Sequence, residues 1–302
     1  MSSLQLFLQQ VLNGLTLGAI YALIALGYTM VYGVIRLINF AHGEVFIAGA
    51  YAALSVILLT GGPGWPWWIA LAAATTGAMA ACAVLGLAID RVAYRPIRST
   101  PRLNAFITAI GMSFFLQNAL MLLYGATDRQ FPSLIPHARW EVGGVSLTLM
   151  QLVIWAASAS MMVALHALVM RTKLGTAMRA TAQDLTACAL LGIPVHRIIA
   201  VTFAAGSVCA ALGGVLFGLN YGTINFHDGY LMGMKAFTAA VLGGIGNVQG
   251  AMVGGLVLGL LEALGAGYLS AQWKNVFAFV ILVAMLLFKP TGLLGERVAE
   301  RA

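Results

Sequence analysis

Few side chains in this 302-residue sequence can do chemistry, and they sit in a few places. Asn39, His42 and Glu44 share one short stretch, Ile38-Asn39-Phe40-Ala41-His42-Gly43-Glu44. Asn225 and His227 share another, Ile224-Asn225-Phe226-His227-Asp228-Gly229. Lys235 and Glu262 stand alone inside apolar runs. A charge in such a run is costly and faces a bundle interior or a wet cavity. The two opposite charges suit a pair in an antiparallel arrangement, where a structural staple and a place along a path fit equally well. Asparagine beside glycine suits a helix break, which frees backbone N–H and C=O groups that lipid cannot satisfy. Asn39 and Asn225 then either cap helices or line a path. The candidate pathway set is therefore Asn39, His42, Glu44, Asn225, His227, Lys235 and Glu262. No carboxylate or cysteine spacing turns His42 or His227 into a metal ligand. Cys82, Cys188 and Cys209 are odd in number and widely spaced within apolar runs, which points to core or lipid-facing thiols.

The expected catalytic motifs are missing. A P-loop needs Gly-Lys-Ser/Thr after a Gly-rich turn, so that backbone amides and the lysine cradle phosphate. The four lysines, Lys173, Lys235, Lys274 and Lys289, follow Thr172, Met234, Trp273 and Phe288. A dinucleotide loop, a zinc-protease motif and a nucleophilic triad are equally absent from the sequence. The expectation is a chain that is not itself an enzyme and carries no cofactor. The net charge of +7 is spread over short clusters, unlike a nucleic-acid-binding face.

The elements that must position these residues are apolar. Hydrophobic residues make up 61% of the chain and charged ones 8%, against about a quarter charged in a soluble domain. A bilayer span needs ~20 apolar residues. Runs of that kind fall at Leu12–Gly33, Val45–Leu59, Trp67–Ile89, Asn104–Tyr124, Leu147–Met170, Ile198–Tyr221, Leu231–Ile245, Gly250–Leu269 and Val276–Phe288. The fold class this predicts is an all-α integral membrane protein, a polytopic bundle of about 8–10 spans. The first run lacks a basic leader and is expected to be retained. Lys and Arg mark cytoplasmic loops: Arg91, Arg95, Arg98 and Arg102 after the third run, Arg171, Lys173, Arg179 and Arg197 after the fifth, and Lys289, Arg297 and Arg301 in the tail. The mixed-charge segment Gly125–Ser146 then lies outside, Ile35–Glu44 inside and Thr223–Tyr230 outside. Trp65, Trp67, Trp68, Trp140 and Trp273 fall at outer boundaries as interfacial anchors. Glycines four apart (Gly14 and Gly18; Gly214, Gly218 and Gly222; Gly250 and Gly254; Gly255 and Gly259) predict closely packed helix faces.

The two polar stretches are also alike. Each follows a Tyr-Gly pair, Tyr32-Gly33 or Tyr221-Gly222, and each precedes a Gly/Ala-rich apolar run. Charge counting puts them on opposite sides, the mark of an inverted-topology repeat with broken helices around a central path. The halves are residues 1–124 and 198–289, joined by a span at 147–170 and a cytoplasmic loop at 171–197, with a tail at 290–302. Within that loop Thr176–Leu191 predicts one helix, ended by Gly192 and Pro194. It suits docking into a partner's groove as well as it suits a mere connection.

Four segments are family-like. They are Asn13–Tyr51, Ala93–Arg98 (AYRPIR), Gly175–Ile193 and Gly233–Glu262. Over nearly its whole length the chain resembles the branched-chain amino-acid ABC importer permeases, specifically the first of their two permease subunits. The resemblance implies a type II importer-like fold in the bacterial inner membrane. It also implies a second homologous permease, two cytoplasmic ATPase subunits that hold ATP and magnesium, and a periplasmic or lipid-anchored substrate-binding protein. The loop matching Gly175–Ile193 is the family's ATPase-coupling element, a role carried here onto Arg179, Asp184, Gly192 and Ile193. Similar permeases serve urea, short amides and other amino acids. Competing readings are an ion-coupled carrier using Glu262, Lys235 or His227, and a membrane enzyme or scaffold centred on His42 and Glu44.

Overall fold

The computed structural model describes residues 2–61, 64–98 and 100–295. The tail residues Arg297 and Arg301 lie outside the described residues. Eleven α-helices follow one another: α1 (Ser3–Ile35), α2 (His42–Thr60), α3 (Trp67–Ile89), α4 (Arg102–Tyr124), α5 (Leu149–Arg171), α6 (Lys173–Gln183), α7 (Leu185–Leu190), α8 (Val195–Tyr221), α9 (Asp228–Gly243), α10 (Val248–Tyr268) and α11 (Lys274–Phe288). Short strands β1 (Arg129–Gln130), β2 (Arg139–Val142), β3 (Val145–Thr148) and β4 (Thr223–Ile224) complete the order. Among the described residues, eight helical segments are long and apolar enough to cross a membrane. α9, at 16 residues, is about 24 Å long and falls short of the ~30 Å hydrocarbon core.

Local chemistry sets the helix ends. Ser2 with Gln5, and Thr148 with Gln151, form reciprocal capping boxes that open α1 and α5. α1 ends where Arg36 turns left-handed at φ 52°, and α2 ends at Gly61, φ 64°. α3 passes through a π turn (Asp90–Tyr94) and a 3₁₀ turn (Arg95–Ile97) before α4. Arg98 pairs with the buried Asp90 and lies 3.0 Å from His196 Nδ1, which ties this turn to the start of α8.

The packing repeats itself. α1 runs along α10 as α8 runs along α3, α2 packs on α3 as α9 on α10, and α8 packs on α2 as α1 on α9. This pairing matches α1, α2 and α3 with α8, α9 and α10, and α5 lies against α1. Glycine lets the pairs approach. Gly14 and Gly18 face Leu260 and Leu256, while Gly255 faces Ala22. Higher numbers on α1 meet lower numbers on α10, so the two helices are antiparallel. Gly27 against Gly206, with Gly213 against Ile24, gives α1 and α8 the same relation.

The two ends of the bundle match the charge pattern. At one end Gln5 and Gln9 of α1 bond to Gly143 and Ser146, and β1 pairs with β4, Arg129 opposite Ile224. Exposed Trp65, Trp68, Trp140 and Trp273 belong to the helix ends and loops on this side. At the other end Arg36, Arg98 and Asp184 line one cavity. There Leu293 and Leu294 donate to the carbonyls of Leu242 and Gly243. The core is made by α1, α2 and α8, whereas few residues of α4, α5 and α11 are buried, which leaves their outer faces to lipid or a neighbouring subunit.

The single helix expected at Thr176–Leu191 is instead two, α6 and α7. Asp184 divides them because its carboxylate accepts from the Thr186 and Ala187 N–H groups at 2.8 and 2.9 Å. An aspartate that caps a new helix competes with continuing the old one.

Candidate functional site

The stretches containing Asn39 and Asn225 are the two broken connections. Residues 36–41 leave the end of α1 and turn back beside it before α2 begins. The His42 ring lies edge-on to Tyr28, centroids 4.9 Å apart, and Tyr28 is seven residues before the end of α1, about 10 Å along the axis. The ring occupies the space over Gly27, where any Cβ would collide with it. Residues 222–227 make the corresponding connection between α8 and α9.

The N-terminal turns of α2 and α9 meet. A Cβ on Gly43 would run into the Gly229 carbonyl and come within 2.8 Å of Gly233 Cα. A Cβ on Gly229 would come within 2.8 Å of the Gly43 carbonyl oxygen and 2.6 Å of Glu44 Oε2. Gly43 and Gly229 are the matching glycines of the two alike stretches, so the repeat crosses itself at this point. Two helix N-termini, each carrying partial positive charge, converge there.

Neither asparagine opens a helix. Ala41 and His227 hold those positions, and neither contributes a side-chain cap. Asn39 is buried; its Oδ1 accepts from the Tyr94 hydroxyl at 3.1 Å, and its carbonyl accepts the His42 N–H at 3.0 Å. Asn225 accepts the His227 N–H at 3.0 Å and donates to Asp128 at 2.6 Å. Both therefore fix the shape of the connection rather than the helix start.

Glu44 is 1% exposed. Ser113 of α4 donates to its Oε1 at 3.2 Å, while Oε2 has no partner among the described residues. One turn along α4, Gln117 lies 2.8 Å from His227 Nδ1. Ser113 and Gln117 thus present one polar face of α4 to Glu44 of the first half and His227 of the second. His42 Nε2 is also buried and unpartnered.

Lys235 and Glu262 form a separate centre. Nζ lies 2.7 Å from Oε1, with the side chains 0% and 3% exposed. The Tyr21 hydroxyl donates to Glu262 Oε2 at 2.9 Å and lies 3.4 Å from Lys235 Nζ. The trio joins α1, α9 and α10 across the two halves. Burial this complete fits the staple better than an open path.

At the opposite end, α6, α7, the end of α1, the turn around Ile97 and Arg98 and the start of α4 line a cavity of about 510 Å³, with Arg36, Arg98, Gln183, Asp184 and Thr186 among its residues. Arg179 turns back to cap α5, donating to the Val169 carbonyl. Gly192, at φ 79°, ends α7, and the Ile193 N–H donates to the Cys188 carbonyl at 3.0 Å. The four coupling candidates thus hold the shape of this corner. Its exposed apolar knobs are residues the sequence reading did not single out, Leu190 and Leu191, 85% and 79% exposed. Leucines in a polar loop signal such knobs. Tyr21, Ser113 and Gln117 carry no comparable local signal.

Comparison with known proteins bears on the whole chain. Residues 10–286 match the family model described as branched-chain amino acid transport system / permease component. The high-affinity branched-chain amino acid transport system permease protein LivH of Escherichia coli K12 is 49% identical over 301 residues, covering 98% of this chain and 97% of that one. BraD of Pseudomonas aeruginosa, of the same description, is 46% identical over 302 residues, 98% of each chain. A solved structure, PsaBC from Streptococcus pneumoniae in complex with Fab, is 11% identical with a TM-score of 0.48 over 94% of this chain and 92% of that one, too loose an overlap to carry weight. The chain, a multi-pass protein of the bacterial inner membrane, belongs to the family of permease components of branched-chain amino acid transport systems.

Proposed function

We propose that this chain is the permease subunit of an ABC importer that carries branched-chain amino acids inward by alternating access. The near end-to-end similarity to LivH and BraD carries this reading. The chain supplies the path, and the motor lies elsewhere: ATP and magnesium belong to two cytoplasmic ATPase subunits. A second homologous permease and a substrate-binding protein complete the assembly.

The exposed Leu185, Leu190 and Leu191 are the anchors that enter a groove on the ATPase. Arg179, Asp184, Gly192 and Ile193 keep α6 and α7 rigid enough to pass its motion on. The corner lies against the end of α1 and the turn between α3 and α4, so displacing it tilts the first half (1–124) against the second (198–289). The point about which they move is the crossing of α2 and α9. A ligand drives such a change only by binding the two states differently. Asn39, His42, Glu44, Asn225 and His227 lie at or beside that crossing and line the path when it opens. Lys235 and Glu262 hold the second half to α1 throughout.

Reconstitution tests this. The chain, with its second permease, ATPases and binding protein in vesicles, should take up L-leucine only with ATP, and loaded binding protein should stimulate hydrolysis. Uptake by this chain alone under a proton or sodium gradient would establish an ion-coupled carrier instead. Changing Leu190 and Leu191 together to Glu should strip the ATPases from the purified assembly while leaving the permeases inserted.

A further inference from the structure

We infer that Glu44 is the counter-charge for the α-ammonium group of the transported amino acid, a specificity-determining residue on the path; this rests on the function proposed above.

Among the described residues three carboxylates are buried: Glu44, Asp90 and Glu262. Asp90 is paired with Arg98, and Glu262 with Lys235 at 2.7 Å. Among the described residues Glu44 has no basic partner within ion-pairing distance, and one of its oxygens has no hydrogen bond at all. Leaving a buried polar atom unpaired costs about 1–3 kcal/mol, more when it is charged. A chain that matches its other two buried carboxylates with cations leaves this one for something that is not part of the chain.

The position of Glu44 says what that is. It stands in the first turn of α2, where α2 meets the first turn of α9, at the point where the two halves cross. The unpartnered Oε2 lies against Gly229, which has no side chain to cover it. Glycine at 43, 229 and 233 lets the α2 and α9 backbones meet closely beside the carboxylate. Separation of the α2 and α9 turns therefore exposes Oε2 and two helix N-termini together. A carboxylate beside the positive ends of two helices matches a zwitterion: the ammonium goes to Glu44 and the carboxylate to the helix ends. Ser113 donates to Oε1 and leaves Oε2 at the seam. In the closed arrangement described here the seam is shut over it.

The experiment uses the complete assembly in vesicles, with L-leucine as probe, and three variants of this chain. Glu44→Gln keeps size and the Ser113 bond but removes the charge. It should lower leucine uptake about tenfold or more, the cost of losing one charged hydrogen bond. Assembly yield should stay within about twofold of the unaltered protein, because Gln keeps the volume and the Ser113 bond. Glu44→Asp, which restores charge, should recover part of the uptake. Ser113→Ala, which removes only the hydrogen bond, should transport within about threefold of the unaltered protein. Glu44→Gln transporting at the unaltered rate overturns the inference. So does Ser113→Ala losing as much as Glu44→Gln, or Glu44→Asp recovering nothing while assembly falls, since both mark a structural carboxyl group. If the unaltered assembly takes up no leucine, the functional reading itself fails and this inference falls with it.

Discussion

The Lys235–Glu262 pair gives the sharpest test of how this bundle is held together. The charges lie 2.7 Å apart and are fully buried. At an effective dielectric constant of about 20 their attraction is about 6 kcal/mol. Desolvation of the two ions offsets much of this, so the pair contributes little net stability compared with a well-packed apolar pair. Removing one member is different, because the other then stays buried and unmatched at a cost of about 3–5 kcal/mol. Glu262→Gln is therefore expected to destabilise the chain by that amount, and Lys235→Met likewise. The double variant Lys235→Met with Glu262→Gln should recover most of the loss. Tyr21→Phe, which removes one hydrogen bond to the carboxylate, should cost about 1–3 kcal/mol. The assay is the unfolding free energy in bicelles by steric trapping, run as a double-mutant cycle. Single changes costing under about 1 kcal/mol, or a double variant that sums the two singles, would refute the reasoning.

Other outcomes follow from the same geometry. Gly43→Ala drives a methyl group into the Gly229 backbone and should cost about 1–3 kcal/mol, as overpacking does, with a matching fall in assembled complex on a detergent-purified sample. Asp184→Ala removes the cap of α7 and should cost about 1 kcal/mol of local stability, seen as faster amide exchange over 185–190 and weaker coupling of uptake to ATP hydrolysis. Asn225→Leu loses the bonds to Asp128 and His227, and should loosen β1 from β4 and cut leucine uptake while leaving the chain inserted. Measuring insertion and uptake separately tells that result from misfolding.

Hydropathy made the spans legible. Nine apolar runs became nine helices, with Trp67–Ile89 matching α3 at both ends, because lipid forces backbone groups to be satisfied within each span. The loops were harder. Asp184 interrupts a stretch whose Ala and Leu content favours helix, and the aspartate's competing bonds are visible only once the backbone is in place. Asn39 and Asn225 were recognisable as break residues, but their partners, Tyr94 and Asp128, lie 55 and 97 positions away. The same distance in sequence hides Ser113 from Glu44 and Tyr21 from Glu262. Local pattern carries the bilayer's demands, whereas polar contacts between helices are set by tertiary packing alone.

The shortness of α9 has a consequence for how the chain is made. A 16-residue helix with a lysine near its middle is a poor candidate to leave the translocon for lipid by itself. α10 follows after a four-residue turn and brings Glu262, the carboxylate that neutralises that lysine. Membrane insertion of α9 is thus tied to the synthesis of α10, and the two enter as one hairpin. The ribosome must therefore pass Glu262 before the second half acquires its topology, so a truncation between 243 and 262 strands α9 outside the bilayer.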